Sequence, residues 1–210
     1  MKLFDCTLYY DEDLILDLRL NILNKHVDKF VICESKFSHS GREKKLNFDI
    51  KKFSEFKNKI IYVVSDDEPD GLMFDKNFND KKELPEHYRH NAIKRIGHQR
   101  NKLIKGLEEA DENDFILYSD NDEIPNLNNF DFNNFNKKYV LFEQKLFYYK
   151  LNLYLDRISW FGTKGCKKKY LTSFEQLRQI KPKKYPFYRV DTIFKFDKQI
   201  SLEKIKDGGW

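Results

Sequence analysis

The sequence predicts an α/β protein in which a mainly parallel β-sheet is flanked by helices. Short apolar segments rich in β-forming residues occur at 2–9, 30–33, 60–64 and 115–118. Such segments are typical of buried strands. A segment with leucine and isoleucine at helical spacing follows the first strand, and a second helical segment precedes the fourth. Because strands that alternate with helices form parallel sheets, these observations together predict the fold class.

The elements follow one another in a simple order over the first 118 residues. Acidic residues at 11–13 favour the N-terminus of the first helix, whose apolar positions run from Leu14 to Leu23. A polar, lysine-rich crossover joins the second strand to the third. Residues 66–85 read as an irregular loop, which at this length is either functional or flexible. A long helix predicted at about 88–110 then leads into the fourth strand.

The second half of the chain is less regular. Residues 126–136 are asparagine-rich and turn-like, and 139–151 reads as one longer strand or a hairpin arm. After Asn152 only 192–196 has a clear strand pattern. Since no repeat or low-complexity linker divides the 210 residues, we expect residues 1–210 to form a single domain.

Composition narrows the class of protein. The net charge of +5 is mild, and its lysine clusters at 167–169 and 181–184 come with no nucleic-acid-binding module, so no nucleic-acid partner is expected. Cys6, Cys33 and Cys166 are odd in number and widely spaced, which favours buried free thiols. No signal peptide or membrane-spanning run is present, so we expect no transmembrane segment and a cytoplasmic location.

The segment that carries most chemistry is Ser119–Pro125, directly after the fourth strand. Asp120 and Asp122 flank one residue, so their oxygens can reach a single hard cation. Mg²⁺ or Mn²⁺ held by few carboxylates completes its shell with substrate phosphates. The alternative is a polar turn, because Asp and Asn are turn formers and Pro125 ends the segment.

Polar groups also follow two other predicted strands, Glu34 after the second and Asp66 after the third. The carboxyl ends of parallel strands share one edge, where open α/β sheets bind ligands. This convergence favours the metal site over the turn. Because neither Gly-x-Gly-x-x-Gly nor a Walker loop is present, a nucleotide-sugar transferase fits better than a dehydrogenase or a P-loop enzyme.

The chain resembles glycosyltransferase family 17, whose eukaryotic members are β-1,4-mannosyl-glycoprotein 4-β-N-acetylglucosaminyltransferases. The resemblance rests on an ordered series of short segments along nearly the whole chain. These are 4–6, 13–14, 18–20, 27–32 with Glu34, 39–41, 99–101 with 106–107, 119–125, Trp160, 162–163 and 207–210.

Membership implies a GT-A-like nucleotide-sugar-binding fold, UDP-N-acetylglucosamine as donor, a glycan acceptor and inversion at the anomeric carbon. Asp120 and Asp122 match the Asp-x-Asp position of the family and would hold Mn²⁺ or Mg²⁺ on the diphosphate. A carboxylate base is needed for the acceptor hydroxyl. Asp207 is favoured over Glu123, because a base beside the metal would lie near the leaving group.

Other side chains are candidates for contacts with the donor. Glu34 and Asp66 could accept hydrogen bonds from the ribose or uracil, and Arg100 could pair with a phosphate. The alternative for Arg100 is an ion pair with an acid at the sheet edge. For Glu34 it is a helix cap or an ion pair with Lys36 or Arg42.

One departure from the family pattern concerns the end of the chain. Family members continue past Gly-Gly-Trp with a histidine and an aromatic residue, whereas this sequence stops at Trp210. The domain is therefore expected to lack its C-terminal end and a further metal ligand. The alternatives to the favoured function are a different nucleotide-sugar donor and a catalytically inactive sugar- or nucleotide-binding module. The oligomeric state stays open.

Overall fold

A computed structural model describes residues 1–74, 84–128, 130–147, 152–182 and 201–210. In this part of the chain, seven strands form one sheet in the order β3-β2-β1-β4-β6-β5-β7. The strands are β1 Leu3–Tyr9, β2 Lys29–Ser35, β3 Ile60–Ser65, β4 Phe115–Tyr118, β5 Tyr139–Phe142, β6 Lys164–Lys167 and β7 Leu202–Ile205.

Most strand pairings in this sheet are parallel. β3, β2, β1 and β4 run the same way, and β7 is parallel to β5. β6 runs antiparallel to both β4 and β5, with Tyr118 opposite Lys164 and Leu141 also opposite Lys164. The carboxyl ends of β4, β5 and β7 therefore lie at one edge of the sheet together with the start of β6.

Three α-helices and three short 3₁₀ helices accompany the described strands. The α-helices are α1 Asp13–Leu23, α2 Leu84–Lys102 and α3 Phe174–Gln179; the 3₁₀ helices are Ile50–Phe56, Leu103–Leu107 and Lys168–Tyr170. Ser173 begins α3 by accepting a hydrogen bond from the backbone of Gln176 at 3.0 Å, as expected of an N-cap serine.

Apolar side chains cover both faces of the sheet. On β4, Phe115 and Leu117 join the core that contains α1, while Ile116 and Tyr118 join the core beneath α3 and the 3₁₀ helix at Leu103–Leu107. This alternation follows from the period of two along a strand. A sheet buried on both faces is typical of parallel strands between helices.

Gly106 marks a close approach between a helix and the sheet. A Cβ at this position would lie 2.2 Å from Val31 Cγ1, so a larger residue would force the two elements apart. The glycine, which weakens a helix by propensity, is required here by packing.

The predicted fold class is confirmed: the protein is mixed α/β, and its mostly parallel sheet is flanked by helices. All four predicted strands of the first half are present within two residues of the expected bounds. The long helix ends earlier than predicted, at Lys102, and continues as a 3₁₀ helix to Leu107. Of the predicted strand at 139–151, residues 139–142 form β5 and Phe147 pairs with Tyr154 in an isolated bridge; residues 148–151 lie outside the described ranges.

No periodic pattern in the sequence predicts β6, α3 or β7. β6 has the sequence Lys-Gly-Cys-Lys, which carries neither apolar alternation nor β-branched residues. It is a strand because it lies between β4 and β5, where tertiary pairing overrides propensity. The strand predicted at 192–196 lies outside the described residues, as does 75–83 of the predicted loop.

Three features noted in the composition, the cysteines, the first lysine cluster and the lack of a membrane-spanning run, can be compared with the structure. The three cysteines are free and buried, as expected. Two members of the first lysine cluster make local structural contacts: Lys168 donates to the carbonyl oxygens of Leu107 at 3.1 Å and Ala110 at 2.5 Å, and Lys169 donates to Asn113 at 2.9 Å. Within the described ranges, no helix is both long and apolar enough to cross a membrane.

Candidate active site

The Asp-x-Asp segment lines a cavity of about 590 Å³ at the carboxyl edge of the sheet, a volume typical of small-molecule sites. The cavity opens between the ends of β1 and β2, helix α2 and the loop after β4. Its charged and polar lining includes Glu12, Ser35, His39, Lys44, Gln99, Arg100 and Asp120–Asp122, and its aromatic lining Tyr9, Tyr10 and Phe37.

A buried ion pair supports this segment from beneath. Arg19 of α1 donates to both carboxylate oxygens of Asp5 on β1, at 2.7 and 2.6 Å. Burial lowers the pKa of Arg19, but the Asp5 carboxylate more than offsets this, so the net shift is upward and the guanidinium stays charged. Its remaining N–H groups donate to Ser119 Oγ and to the carbonyl oxygens of Asp120, Asn121 and Glu123, at 2.7 to 3.3 Å.

A second arginine, Arg178, connects the carboxylates of Asp120 and Glu123. Arg178 of α3 donates to Asp120 Oδ2 at 2.8 Å and to the two carboxylate oxygens of Glu123 at 2.7 and 3.0 Å. It also donates to the carbonyl oxygen of Gly162 at 2.9 Å. Fork-shaped pairing of this kind fixes both the distance and the orientation of the groups it joins.

Glu123 is enclosed by donors. In addition to Arg178, its carboxylate accepts from Trp160 Nε1 at 2.8 Å and from the backbone of Asp120 at 2.9 Å. Gly162 packs so closely that a Cβ there would lie 2.6 Å from Glu123 Cδ. The predicted role of Glu123 as a candidate base stays a prediction, and its surroundings do not favour it, because both oxygens of this 7 % exposed residue already accept hydrogen bonds. The geometry assigns it to holding the Asp-x-Asp turn.

Asp122 is the available carboxylate of the pair. It is exposed, and within the described ranges its carboxylate has no hydrogen-bond or ion-pair partner apart from its own backbone N–H. Partial desolvation, then the nearby charges of Glu123 and Asp120, raise the pKa of Asp122. A cation would relieve this concentration of negative charge.

Asp120 has closer partners. Its Oδ1 accepts from the Tyr118 hydroxyl at 3.0 Å and lies 3.7 Å from Arg100 Nη2, while Arg178 holds Oδ2. In the described part of the chain, no group of three His, Cys, Asp or Glu side chains could hold a metal ion. A cation held by Asp122 and Asp120 would therefore take its remaining ligands from substrate oxygens and water, and the metal site stays a prediction.

Arg100 lies where either of its two predicted roles is possible. Its Nε donates to the Tyr118 hydroxyl at 2.8 Å and its Nη1 to Glu175 at 2.9 Å. The ion-pair alternative is thus observed, with Glu175 as the closer partner and the sheet-edge Asp120 within 3.7 Å. Arg100 also lines the cavity, so a phosphate there would meet its guanidinium.

Glu34 serves the fold and is not available to a nucleotide. It is completely buried, and it accepts from the Lys44 ammonium, from the backbone N–H groups of Asn47 and Phe48 at 2.8 and 3.0 Å, and from the Tyr62 hydroxyl at 2.8 Å. The prediction that Glu34 contacts ribose or uracil gains no support from this position, because four donors occupy its two oxygens, and it stays a prediction. Its ion pair with Lys44 instead anchors one wall of the cavity.

Asp66 is not brought to the cavity. It follows β3, the edge strand of the sheet, where it is exposed, and it is not among the residues that line the site. Of the three strand ends expected to converge, those of β2 and β4 lie at the cavity, and that of β3 does not. The proposed contact of Asp66 with the donor therefore receives no support from its position.

Asp207 lies in a different place from the Asp-x-Asp pair. It has a left-handed backbone with φ of 49°, and it lines a separate cavity beyond β5 and β7. The residues after it pair with the segment that follows Asp-x-Asp: Trp210 and Ile124 exchange backbone hydrogen bonds at 3.1 and 2.7 Å. A Cβ on Gly209 would lie 2.1 Å from the carbonyl oxygen of Ile124, so only glycine fits there.

Sequence reasoning missed the arginines that organise the site. Asp5 and Arg19 each interrupt an apolar pattern, one within a buried strand and one on the Leu16–Leu20 face of α1. Opposite charges in buried positions must pair, so this signal was readable. Arg178 gave no comparable signal, because its helix is only six residues long.

The chain matches a protein-family model. The family model described as glycosyltransferase family 17 matches residues 1–182. This range includes the whole lining of the larger cavity and both arginines that hold the Asp-x-Asp segment. No curated protein and no solved structure matches the chain.

Proposed function

The chain belongs to glycosyltransferase family 17, and we propose that it is a metal-dependent inverting enzyme that moves N-acetylglucosamine from UDP-N-acetylglucosamine to a glycan acceptor. The observation that carries this proposal is the position of Asp120 and Asp122. They follow an interior strand and line, together with Arg100 and Lys44, a cavity of about 590 Å³. Carboxylates beside basic side chains suit a metal-bridged diphosphate.

The charges around the cavity suit a nucleoside diphosphate. Asp122 is free to bind a cation, which when present would supply charge neutralisation on the departing UDP. Arg100 offers a guanidinium at the same wall. On the side of β1 and β2, Tyr10, Phe37 and His39 line the cavity, and we propose that the uridine lies among them.

In the proposed reaction, an acceptor hydroxyl oxygen attacks C1 of the sugar from the face opposite UDP. The C1–O bond to the β-phosphate breaks, and its electron pair leaves with UDP. The hydroxyl proton passes to a carboxylate. We retain Asp207 as the proposed base, since Glu123 is enclosed by Arg178 and Trp160 and within the described ranges the Asp207 side chain has no partner.

The sugar donor is tested with a panel of nucleotide sugars. Calorimetric titration with UDP-N-acetylglucosamine, UDP-galactose and UDP-glucose in the presence of Mn²⁺ would be combined with an assay of UDP release. We expect the tightest binding and fastest release with UDP-N-acetylglucosamine. Preference for another UDP-sugar would favour the same reaction with a different donor. Binding without release on any glycan would favour an inactive binding module.

A further inference from the structure

A second cavity lies farther along the same edge of the sheet. Its volume is about 280 Å³, and it is formed by residues after β5, residues after β7 and the segment from Tyr154 to Ser159. Its lining comprises Glu143, Gln144, Lys145, Tyr154, Asp156, Ile158, Ser159, Lys206 and Asp207. The proposed donor site uses none of these side chains except the proposed base.

The lining combines free hydrogen-bond acceptors with an exposed aromatic ring. Asp156 and Asp207 are exposed, and in the described part of the chain neither side chain makes a hydrogen bond or ion pair. Glu143 is held by the Ser159 hydroxyl at 2.5 Å. Tyr154 is 52 % exposed and its ring lies 5.8 Å from that of Phe147. Sugar hydroxyls donate to carboxylates, and an aromatic ring with a polar tip suits a partly wet site.

A continuous set of contacts links this cavity to the Asp-x-Asp segment. Gln144 lines the cavity and accepts from the backbone of Thr163 at 2.7 Å. Gly162 separates Gln144 from Glu123: a Cβ there would lie 2.5 Å from the first and 2.6 Å from the second. Glu123 in turn accepts from the backbone of Asp120. These contacts connect the lining of the second cavity with that of the first.

We propose that the second cavity is the acceptor subsite and that it binds one neutral pyranose residue of the glycan. The hydroxyls of that residue donate to Asp156 and Asp207, and its apolar face packs on Tyr154. The proposal rests on the proposed function, because it assigns the substrate that receives the transferred sugar. Its volume suits a single ring. Three carboxylates in the lining outnumber the two lysines, Lys145 and Lys206, which disfavours an acidic sugar.

Saturation-transfer NMR on the full chain tests this subsite. The probes are methyl α-mannoside, methyl β-glucoside, methyl β-galactoside and methyl β-glucuronide, each added with UDP and Mn²⁺. We expect saturation transfer to at least one neutral glycoside, weakened about tenfold in apparent affinity by Asp156→Asn or by Tyr154→Leu. The matched controls Glu108→Gln and Ile93→Ala alter exposed residues elsewhere and leave the signal unchanged.

Three results would overturn the subsite. They are no NMR saturation transfer to any neutral glycoside, saturation transfer in both site variants equal to that of the wild type, or stronger saturation transfer to the glucuronide than to the neutral glycosides. UDP binding is measured separately by calorimetry on the same samples. If glycoside binding depends on Asp156 but the chain does not bind UDP, the result would support the subsite and contradict the proposed donor. If the chain binds UDP but no glycoside, the result would support the proposed donor and contradict the subsite.

Discussion

Arg19 and Asp5 form a fully buried, two-pronged ion pair, and the rest of the Arg19 guanidinium holds the backbone of the Asp-x-Asp segment. The two residues are 0 % and 1 % exposed. Three carbonyl oxygens, those of Asp120, Asn121 and Glu123, converge on Arg19 Nη1. The backbone conformation of the Asp-x-Asp segment therefore depends on the buried charge of Arg19 as well as on the residues of the segment.

Replacing Arg19 should destabilise the whole protein. Arg19→Met leaves the Asp5 carboxylate buried without a partner, and breaking such a pair costs about 3–5 kcal/mol. The free energy of unfolding in urea measures the effect. The control, Glu109→Gln, removes an exposed partner of Lys29 and should cost no more than about 1 kcal/mol. Equal effects of the two variants would show that Arg19 has no organising role.

Glu34 distinguishes a structural role from a role in donor binding. Glu34→Ala leaves Lys44, Tyr62 and two backbone N–H groups without their acceptor, so we expect a loss of about 3–5 kcal/mol in the free energy of unfolding. Exposed Glu43→Gln is the control. If Glu34→Ala instead kept its stability and lost only affinity for UDP, Glu34 would be a direct ligand of the nucleotide after all.

Asn121 and Asn91 provide a matched pair of buried amides. Asn91 exchanges two hydrogen bonds with the backbone of Met73, at 2.9 and 2.6 Å, whereas both side-chain polar atoms of Asn121 are buried without a partner in the described structure. Asn91→Ala should cost about 1–3 kcal/mol. Asn121→Ala should change stability by less than about 1 kcal/mol, because removing an unpaired amide offsets the lost packing.

The same pair also predicts a difference in ligand binding. Asn121 lines the larger cavity and Asn91 does not. Unpaired buried polar groups at a binding site gain partners when the ligand is present. Calorimetry should therefore find weaker UDP-sugar binding in Asn121→Ala than in folded Asn91→Ala. The opposite order would remove Asn121 from the site.

The cysteines should resist thiol reagents across the neutral and mildly alkaline range. Burial raises the pKa of Cys33 and of Cys166 to about 12, and burial followed by the charge of Asp5 raises the pKa of Cys6. The thiolate is the reactive form of cysteine. Between about pH 7 and about pH 9, almost none of the three thiols in the folded protein should therefore be ionised. A colorimetric thiol titration should detect the three cysteines only after denaturation. Rapid labelling of the native chain would contradict their burial.

The sequence was sufficient to predict the first half of the sheet. Residues 115–118 form β4 as expected, since an apolar run of β-formers has few alternatives in an α/β protein. It was insufficient for the second half. There β6 is a strand because of its neighbours, and its two lysines and glycine hide it from any periodic pattern.

The candidate site was likewise only partly predictable from the sequence. Asp120 and Asp122 could be found because the chemistry needs two adjacent carboxylates after a strand. The surroundings of Glu34 favour a structural role, which could not be predicted because a sequence does not reveal how many donors surround a carboxylate. Arg178 was missed for the same reason: it is 58 residues from Asp120 along the chain and meets it only through the fold.

Calorimetric titration of UDP-N-acetylglucosamine with and without Mn²⁺ tests most directly whether Asp122 and Asp120 bind the donor through a cation. In the wild-type chain, Mn²⁺ should tighten binding, and Asp122→Asn should abolish that gain while leaving the fold intact. Exposed Asp17→Asn, a control on α1, should behave like the wild type. Equal affinity with and without Mn²⁺, or an undiminished metal effect in Asp122→Asn, would contradict the account.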